Sequence, residues 1–156
     1  MKPIKTLIPT AALLAAACTA HAQSYRNAAG ARVEFGNDLV WAGASFKHRF
    51  TEHSALETSL LFGGDAIVPE LGYVYMHPAF PGMRNFYANW GIGVAAPLYD
   101  GKAEWLLRPS LGLEYRFPKT PLQLGIDWRP SYRLSGDDSY ERFVFGRFSV
   151  PLRFVF

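Results

Sequence analysis

The sequence is almost free of cysteine, because Cys18 is the only one among 156 residues. A disulfide within the chain is therefore excluded. A zinc site built from several thiolates is excluded for the same reason. Whatever fold the chain adopts must be held together by packing, hydrogen bonds and ion pairs.

Long apolar runs are also absent beyond the first 22 residues. No later segment approaches the roughly 20 apolar residues that a transmembrane helix needs. The beginning differs: Lys2 and Lys5 precede a short apolar stretch, and the small-x-small pattern of Ala20 to Ala22 follows it. These are the parts of a secretory signal peptide. We interpret residues 1–22 as a cleaved signal peptide and residues 23–156 as one exported domain.

A lipoprotein signal is the alternative for this leader, and it would use Cys18 as the lipidated residue. Ala15, three positions before the cysteine, stands where a larger aliphatic residue is usual. The cleaved signal peptide is therefore the preferred interpretation.

No surplus of one charge sign distinguishes the exported domain. The chain has 16 Lys and Arg against 13 Asp and Glu, and two of the lysines belong to the leader. This balance gives no support to a nucleic-acid partner. The sequence also lacks a nucleophile elbow, a phosphate-binding loop and a cluster of metal ligands. We expect no cofactor and no metal.

What the sequence does contain is alternation with a period of two, which is typical of β-strands. From Leu122 to Leu134 the even positions are apolar or aromatic and the odd positions are polar, charged or glycine. Similar runs, separated by turn residues, cover 26–35, 40–50, 56–62, 71–75, 86–98, 105–117 and 147–156. Eight strands joined as a meander can close by pairing the first with the last. We predict an all-β fold, an eight-stranded antiparallel up-and-down barrel that spans a membrane.

The polar parity of these strands carries charges of both signs, with arginine predominating. The interior of an eight-stranded barrel has room only for side chains, and arginine pairs well with carboxylates there. We predict that these residues form a charge network in the lumen. They are Arg32, Glu34, Lys47, Arg49, Glu57, Glu70, Arg108, Glu114, Arg116, Asp127, Arg129, Arg133, Arg147 and Arg153.

Large aromatic residues fall near the ends of the strands, as expected for the two interfaces of a bilayer. With the chain termini on the periplasmic side, one group lies at that side and a second at the outer side. The periplasmic group is Phe86, Tyr115, Phe117, Phe154 and Phe156, and the outer group is Trp105 and Tyr132.

The segment SVPLRFVF resembles the C-terminal signal of bacterial outer-membrane β-barrels, which is read during assembly. Ser149 takes the polar place, Phe154 and Phe156 the two final apolar places, and Pro151 stands where glycine is usual. Residues 112–132 look like small barrel proteins of the Bacteroidota. The whole mature chain resembles the small eight-stranded outer-membrane barrel family that includes OmpA-like transmembrane domains.

This resemblance implies a location in the outer membrane of a Gram-negative cell. It also implies contact with outer-membrane lipid and lipopolysaccharide, and insertion by the barrel-assembly machinery. We expect a monomeric barrel with a structural or interaction role in the cell envelope. An open porin is not expected, because eight strands enclose a filled core.

Two other functions stay open at this point. Lipid A deacylases of the barrel type place a His and a Ser on the lipid-facing wall, and His48 and Ser54 are the candidates here. Their spacing does not reproduce that motif, so we predict no catalysis. A soluble, exported, lipocalin-like binding barrel would have the same alternation with its apolar parity turned inward, and alternation alone does not exclude it.

Overall fold

The computed structural model describes residues 25–83, 85–100, 102–135 and 142–156, so the proposed signal peptide lies outside the described residues. These ranges contain no helix that is long and apolar enough to cross a membrane. The strands are β1 (Asn27–Gly36), β2 (Leu39–Arg49), β3 (Ser54–Gly63), β4 (Ala66–Pro78), β5 (Phe86–Ala95), β6 (Leu98–Tyr99), β7 (Lys102–Ala103), β8 (Leu106–Arg116), β9 (Leu122–Trp128), β10 (Ser131–Arg133), β11 (Phe143–Val144) and β12 (Phe148–Val155).

The long strands form a closed antiparallel barrel. β1 to β5 pair in chain order, β5 pairs with β8, β8 with β9, and β9 with β12. β12 then pairs with β1 from Ala28 opposite Val155 to Phe35 opposite Phe148, which closes the ring. The predicted all-β, eight-stranded antiparallel barrel is confirmed.

The two ends of the barrel differ. The terminal end carries the start of β1, the end of β12 and the connections from β2 to β3, from β4 to β5 and from β8 to β9. The distal end carries the tight turns 37–38 and 64–65, the short pair β6–β7, and β10 with β11. Asn37 and Asp38 both have positive φ, at 53° and 59°. That conformation is typical of a two-residue hairpin turn.

The last long strands are shorter than their alternation suggests. The predicted run 122–134 is divided into β9 and β10, and Pro130, which cannot donate to a ladder, lies at the division. The pair β6–β7 and the short β11 were not predicted. They consist of two residues each, too few to produce a recognisable alternation.

The two parities face opposite sides of the wall, apolar outward and polar inward. Charged residues such as Arg32, Glu34 and Arg153 are completely or almost completely buried. The outward residues are exposed in spite of their size; examples from every long strand are Val33, Phe46, Leu60, Leu71, Ile92, Leu111, Ile126 and Leu152. A lipocalin-like arrangement, with apolar residues inside and polar residues outside, is the opposite of this one.

Only two small apolar clusters lie among the inward residues of the described chain. One, near the distal end, consists of Trp41, Leu61, Val68, Ala95 and Leu106. The other, near the terminal end, consists of Ala55, Val74 and Met76. The charged residues of the lumen lie between these two clusters.

Pro151 is accommodated by a gap in one ladder. The pairing between β9 and β12 includes Ser149 and resumes at Leu152, without Pro151. On its other side Pro151 stays in register with Arg32 of β1. A Cβ at Gly125 of β9 would lie 3.0 Å from the Pro151 ring. A glycine in β9 therefore provides the space for the proline that β12 carries.

Candidate functional site

The centre of the lumen is organised around the carboxylate of Glu70. Its Oε2 accepts hydrogen bonds from Arg32 Nη2 and Arg108 Nη1, both at 2.7 Å. Its Oε1 accepts one from Arg129 Nη1, also at 2.7 Å. The three arginines belong to different parts of the wall, so Glu70 joins β1, β4, β8 and the end of β9 through the interior.

A second carboxylate, Glu57, lies on the side of Glu70 nearer the terminal end. It forms ion pairs with Arg153 Nη2 at 2.9 Å and with Lys47 Nζ at 3.3 Å. It is also within 3.3 Å of Arg32 Nη1. Lys47 in turn pairs with Glu114, which extends the network towards the terminal end.

A third carboxylate, Glu34, lies on the distal side of Glu70. It pairs with Arg32 at 3.0 Å, accepts from Arg147 Nε at 2.7 Å, and also pairs with Arg108. Asp127 pairs with Arg129 at 3.2 Å. We call the connected set the lumen network: Arg32, Glu34, Lys47, Glu57, Glu70, Arg108, Glu114, Asp127, Arg129, Arg147 and Arg153.

The positive and negative charges of the lumen network are nearly equal in number, and its residues are excluded from solvent. Six cations face five carboxylates, and all eleven residues are buried. Because the interior of an eight-stranded barrel is only as wide as its side chains, this set occupies the cross-section of the lumen. The arrangement links distant strands and leaves little room for water.

Three predicted charges lie outside the lumen network, at the two ends. Arg49 and Arg116 stack on the ring of Tyr25 at the terminal end, with guanidinium carbons 5.0 Å and 4.0 Å from the ring centroid. Arg133 is at the distal end, where its Nε is 3.3 Å from Glu104. Arg116 and Arg133 are half-buried.

The predicted interface aromatics all lie on the outer side of the wall. At the terminal end the rings of Phe86 and Tyr115 are 4.6 Å apart, and those of Tyr115 and Phe117 are 5.0 Å apart. Phe154 and Phe156 are exposed at the same end. Trp105 and Tyr132 are exposed at the distal end. Ser149, the polar residue of the predicted assembly signal, is completely buried inside the barrel.

Further aromatics at the distal end were not included in the prediction. The rings of Phe35 and Phe148 are 6.3 Å apart across the β1–β12 seam. Trp128 packs on Phe145 at 4.8 Å and donates its indole N–H to the Phe145 carbonyl at 2.7 Å. Phe145 lies outside a strand, so alternation could not have assigned its position.

His48 and Ser54 have different partners. His48 Nδ1 is 2.8 Å from Asn27 Oδ1, and its ring packs edge-on against Phe50. Ser54 Oγ is 2.7 Å from the Tyr73 hydroxyl. Each hydrogen bond therefore ties the residue to a neighbouring strand rather than joining the two in a dyad.

A cavity of about 390 Å³ opens at the distal end of the lumen. Trp41 and Leu106 form its inner wall together with Arg147 and Ser131, and acidic residues such as Asp65 lie nearer the rim. The Arg147 guanidinium lies flat against the Trp41 indole, 3.7 Å from the ring centroid. In the sequence, Trp41 is an aromatic residue on the otherwise polar parity of the run 40–50. That exception was the available signal for the cavity.

No three His, Cys, Asp or Glu side chains are arranged to hold a metal ion in the described ranges. Comparison with known protein families, curated proteins and solved structures gives no match for this chain. Functional conclusions therefore rest on the residues of this barrel.

Proposed function

We propose that this protein is an integral outer-membrane β-barrel with a structural or interaction role in the cell envelope, closed to bulk solute flow by its own side chains. It is exported through the signal peptide of residues 1–22 and inserted as a monomer by the barrel-assembly machinery. Its outer wall contacts lipid and lipopolysaccharide. The observation that carries the proposal is the combination of an apolar outside with a buried, ion-paired inside.

The outer wall supports a lipid-facing position. Leu71, Ile92, Leu111, Ile126 and Leu152, on five different strands, have exposed fractions of 48% to 56%. A water-soluble protein rarely exposes a contiguous apolar surface of this extent. Aromatic residues border this band at both ends, as they do at the interfaces of a bilayer.

The closed interior supports a role other than passive transport. Arg32, Arg108 and Arg129 converge on one carboxylate in the middle of the lumen. Opening a water-filled path would separate these buried pairs, and breaking a buried pair costs about 3–5 kcal/mol. A wild-type barrel reconstituted in a planar bilayer should therefore show no stable porin-like conductance.

The test is fractionation of cells that produce the full-length chain. We expect the protein in the outer-membrane fraction, released only by detergent, and migrating faster on a gel before boiling than after. As a matched control, the chain without residues 1–22 should stay in the cytoplasm. Recovery of the full-length protein in the periplasm without detergent would contradict the proposal.

A further inference from the structure

Two polar side chains in the wall of the distal cavity each have a buried atom without a hydrogen-bond partner among the described residues. They are Arg147, through Nη2, and Ser131, through Oγ. Arg147 is 3% exposed and Ser131 is 4% exposed. An unsatisfied buried donor is costly, so an acceptor bound in this cavity would gain by pairing with both.

The rest of Arg147 is already held in place. Its Nε donates to Glu34 at 2.7 Å, and its guanidinium plane rests on Trp41. One edge of the guanidinium is therefore occupied, while Nη2 is not. A rigid guanidinium with free donor capacity suits a carboxylate, which accepts charge-assisted hydrogen bonds from it.

The acidic residues of the cavity do not neutralise this donor. Glu104 is engaged by Arg133 at 3.3 Å and by the Tyr99 hydroxyl. Asp65 and Asp100 are exposed, and solvent and salt screen such charges. The inner wall therefore favours an anion, even though the rim carries carboxylates.

Size and polarity limit the rest of the ligand. The cavity of about 390 Å³ is at the small end of the range for ligand pockets, which is roughly 300–1,000 Å³. Its walls include the apolar side chains of Leu39, Trp41, Leu106 and Val144. The fitting ligand has a compact apolar or aromatic body and one carboxylate.

We propose that the distal cavity binds a small amphipathic carboxylate, with its apolar body against Trp41 and its carboxylate accepting from Arg147 Nη2 and the Ser131 hydroxyl. This site requires only the folded barrel. If the ligand-binding proposal fails, the proposed membrane location is therefore unaffected.

The experiment is calorimetric titration of the purified barrel in a non-ionic detergent, with blank micelles subtracted. The probes are 4-phenylbutyrate, 4-phenylbutanol and 4-phenylbutylamine, which share one body and differ in charge. We expect saturable binding of one 4-phenylbutyrate per barrel, at least about tenfold tighter than the alcohol or the amine. Equal or tighter binding of the amine, or no saturable binding of the carboxylate, would overturn the proposal.

Variants locate the site. Ser131→Ala removes one donor worth about 1 kcal/mol, which corresponds to roughly fivefold weaker binding of 4-phenylbutyrate. Ser59→Ala is the matched control, because Ser59 Oγ is also buried without a partner but does not line this cavity. Ala66→Trp fills the cavity without removing a charge and should abolish binding. Equal effects of Ser131→Ala and Ser59→Ala would refute the assignment.

Discussion

Replacing Glu70 by glutamine tests whether the lumen network holds the barrel together. The substitution keeps the shape of the side chain and removes the charge that three arginines share. After it, six cations of the network face four carboxylates instead of five. Glu70→Gln should therefore destabilise the folded barrel strongly, while leaving its strands and its outer surface unaltered.

The magnitude follows from the hydrogen bonds. Glu70 accepts four: three at 2.7 Å from Arg32 Nη2, Arg108 Nη1 and Arg129 Nη1, and a longer one at 3.4 Å from Arg32 Nη1. A glutamine oxygen in the place of Oε2 can retain the two bonds made there, while its NH₂ group faces the donors at the place of Oε1, so the other two charge-assisted bonds are lost. At about 1.5–3 kcal/mol each, this amounts to roughly 3–6 kcal/mol, in line with the ~3–5 kcal/mol for breaking a buried ion pair.

The assay is urea unfolding of the barrel in lipid vesicles, followed by the gel shift between folded and heated forms. Glu52→Gln, in the exposed turn 50–53, is the matched control and should change the free energy of unfolding by less than about 0.5 kcal/mol. A loss below about 1 kcal/mol for Glu70→Gln would refute the reasoning, because it would mean that water already solvates the network.

A paired substitution separates charge imbalance from lost packing. Arg108→Met in the Glu70→Gln background removes one cation and leaves Glu34 with Arg32 and Arg147. Because the two sites share a hydrogen bond, their effects should not add. The double variant should be more stable than the sum of the single effects predicts. Strict additivity would show that the residues act independently.

Two further predictions concern the outer wall and the seam. Leu111→Arg, on the exposed outer face midway along β8, should lower the free energy of unfolding in vesicles by about 2–4 kcal/mol. Thr120→Arg, in the exposed turn that follows β8, should lower it by only about 0–1 kcal/mol. Equal costs at both positions would contradict a lipid-facing wall. Deleting Phe156 should lower the fraction of the protein that is assembled in the outer membrane, because Phe156 exchanges backbone hydrogen bonds of 2.8 Å and 2.9 Å with Asn27 at the end of the β1–β12 seam. Phe156→Trp keeps both hydrogen bonds and should assemble normally. Unchanged assembly of the deletion variant would remove the proposed signal role.

The strand pattern of this barrel was accessible from local information. In a strand, successive side chains alternate between two faces, so Val33 and Phe35 had to share one side of the wall and Arg32 and Glu34 the other. Turn residues such as Asn37 and Asp38 marked where the chain reverses. An even number of such strands then indicated closure between the first and the last.

Positions at the ends of strands were less predictable, because they depend on neighbours that are distant in sequence. The missing N–H of Pro151 could be recognised in the sequence, but its accommodation by Gly125 on the neighbouring strand could not. Likewise, Trp41 is an exception to the alternation whose reason lies 106 residues later in the sequence, in Arg147, which stacks on its ring.

The sequence by itself determined which side chains share a face, because a period of two is a property of each strand alone. Only the tertiary structure decided which face is concave and which residues meet across it. The convergence of Arg32, Arg108 and Arg129 on Glu70 requires strands as far apart in the sequence as residues 32 and 129 to be curved into one ring. The distal cavity exists for the same reason, because it is a space between strands and no single strand encodes it. Arg147 Nη2 and Ser131 Oγ, which have no hydrogen-bond partner among the described residues, are brought to its wall by the fold.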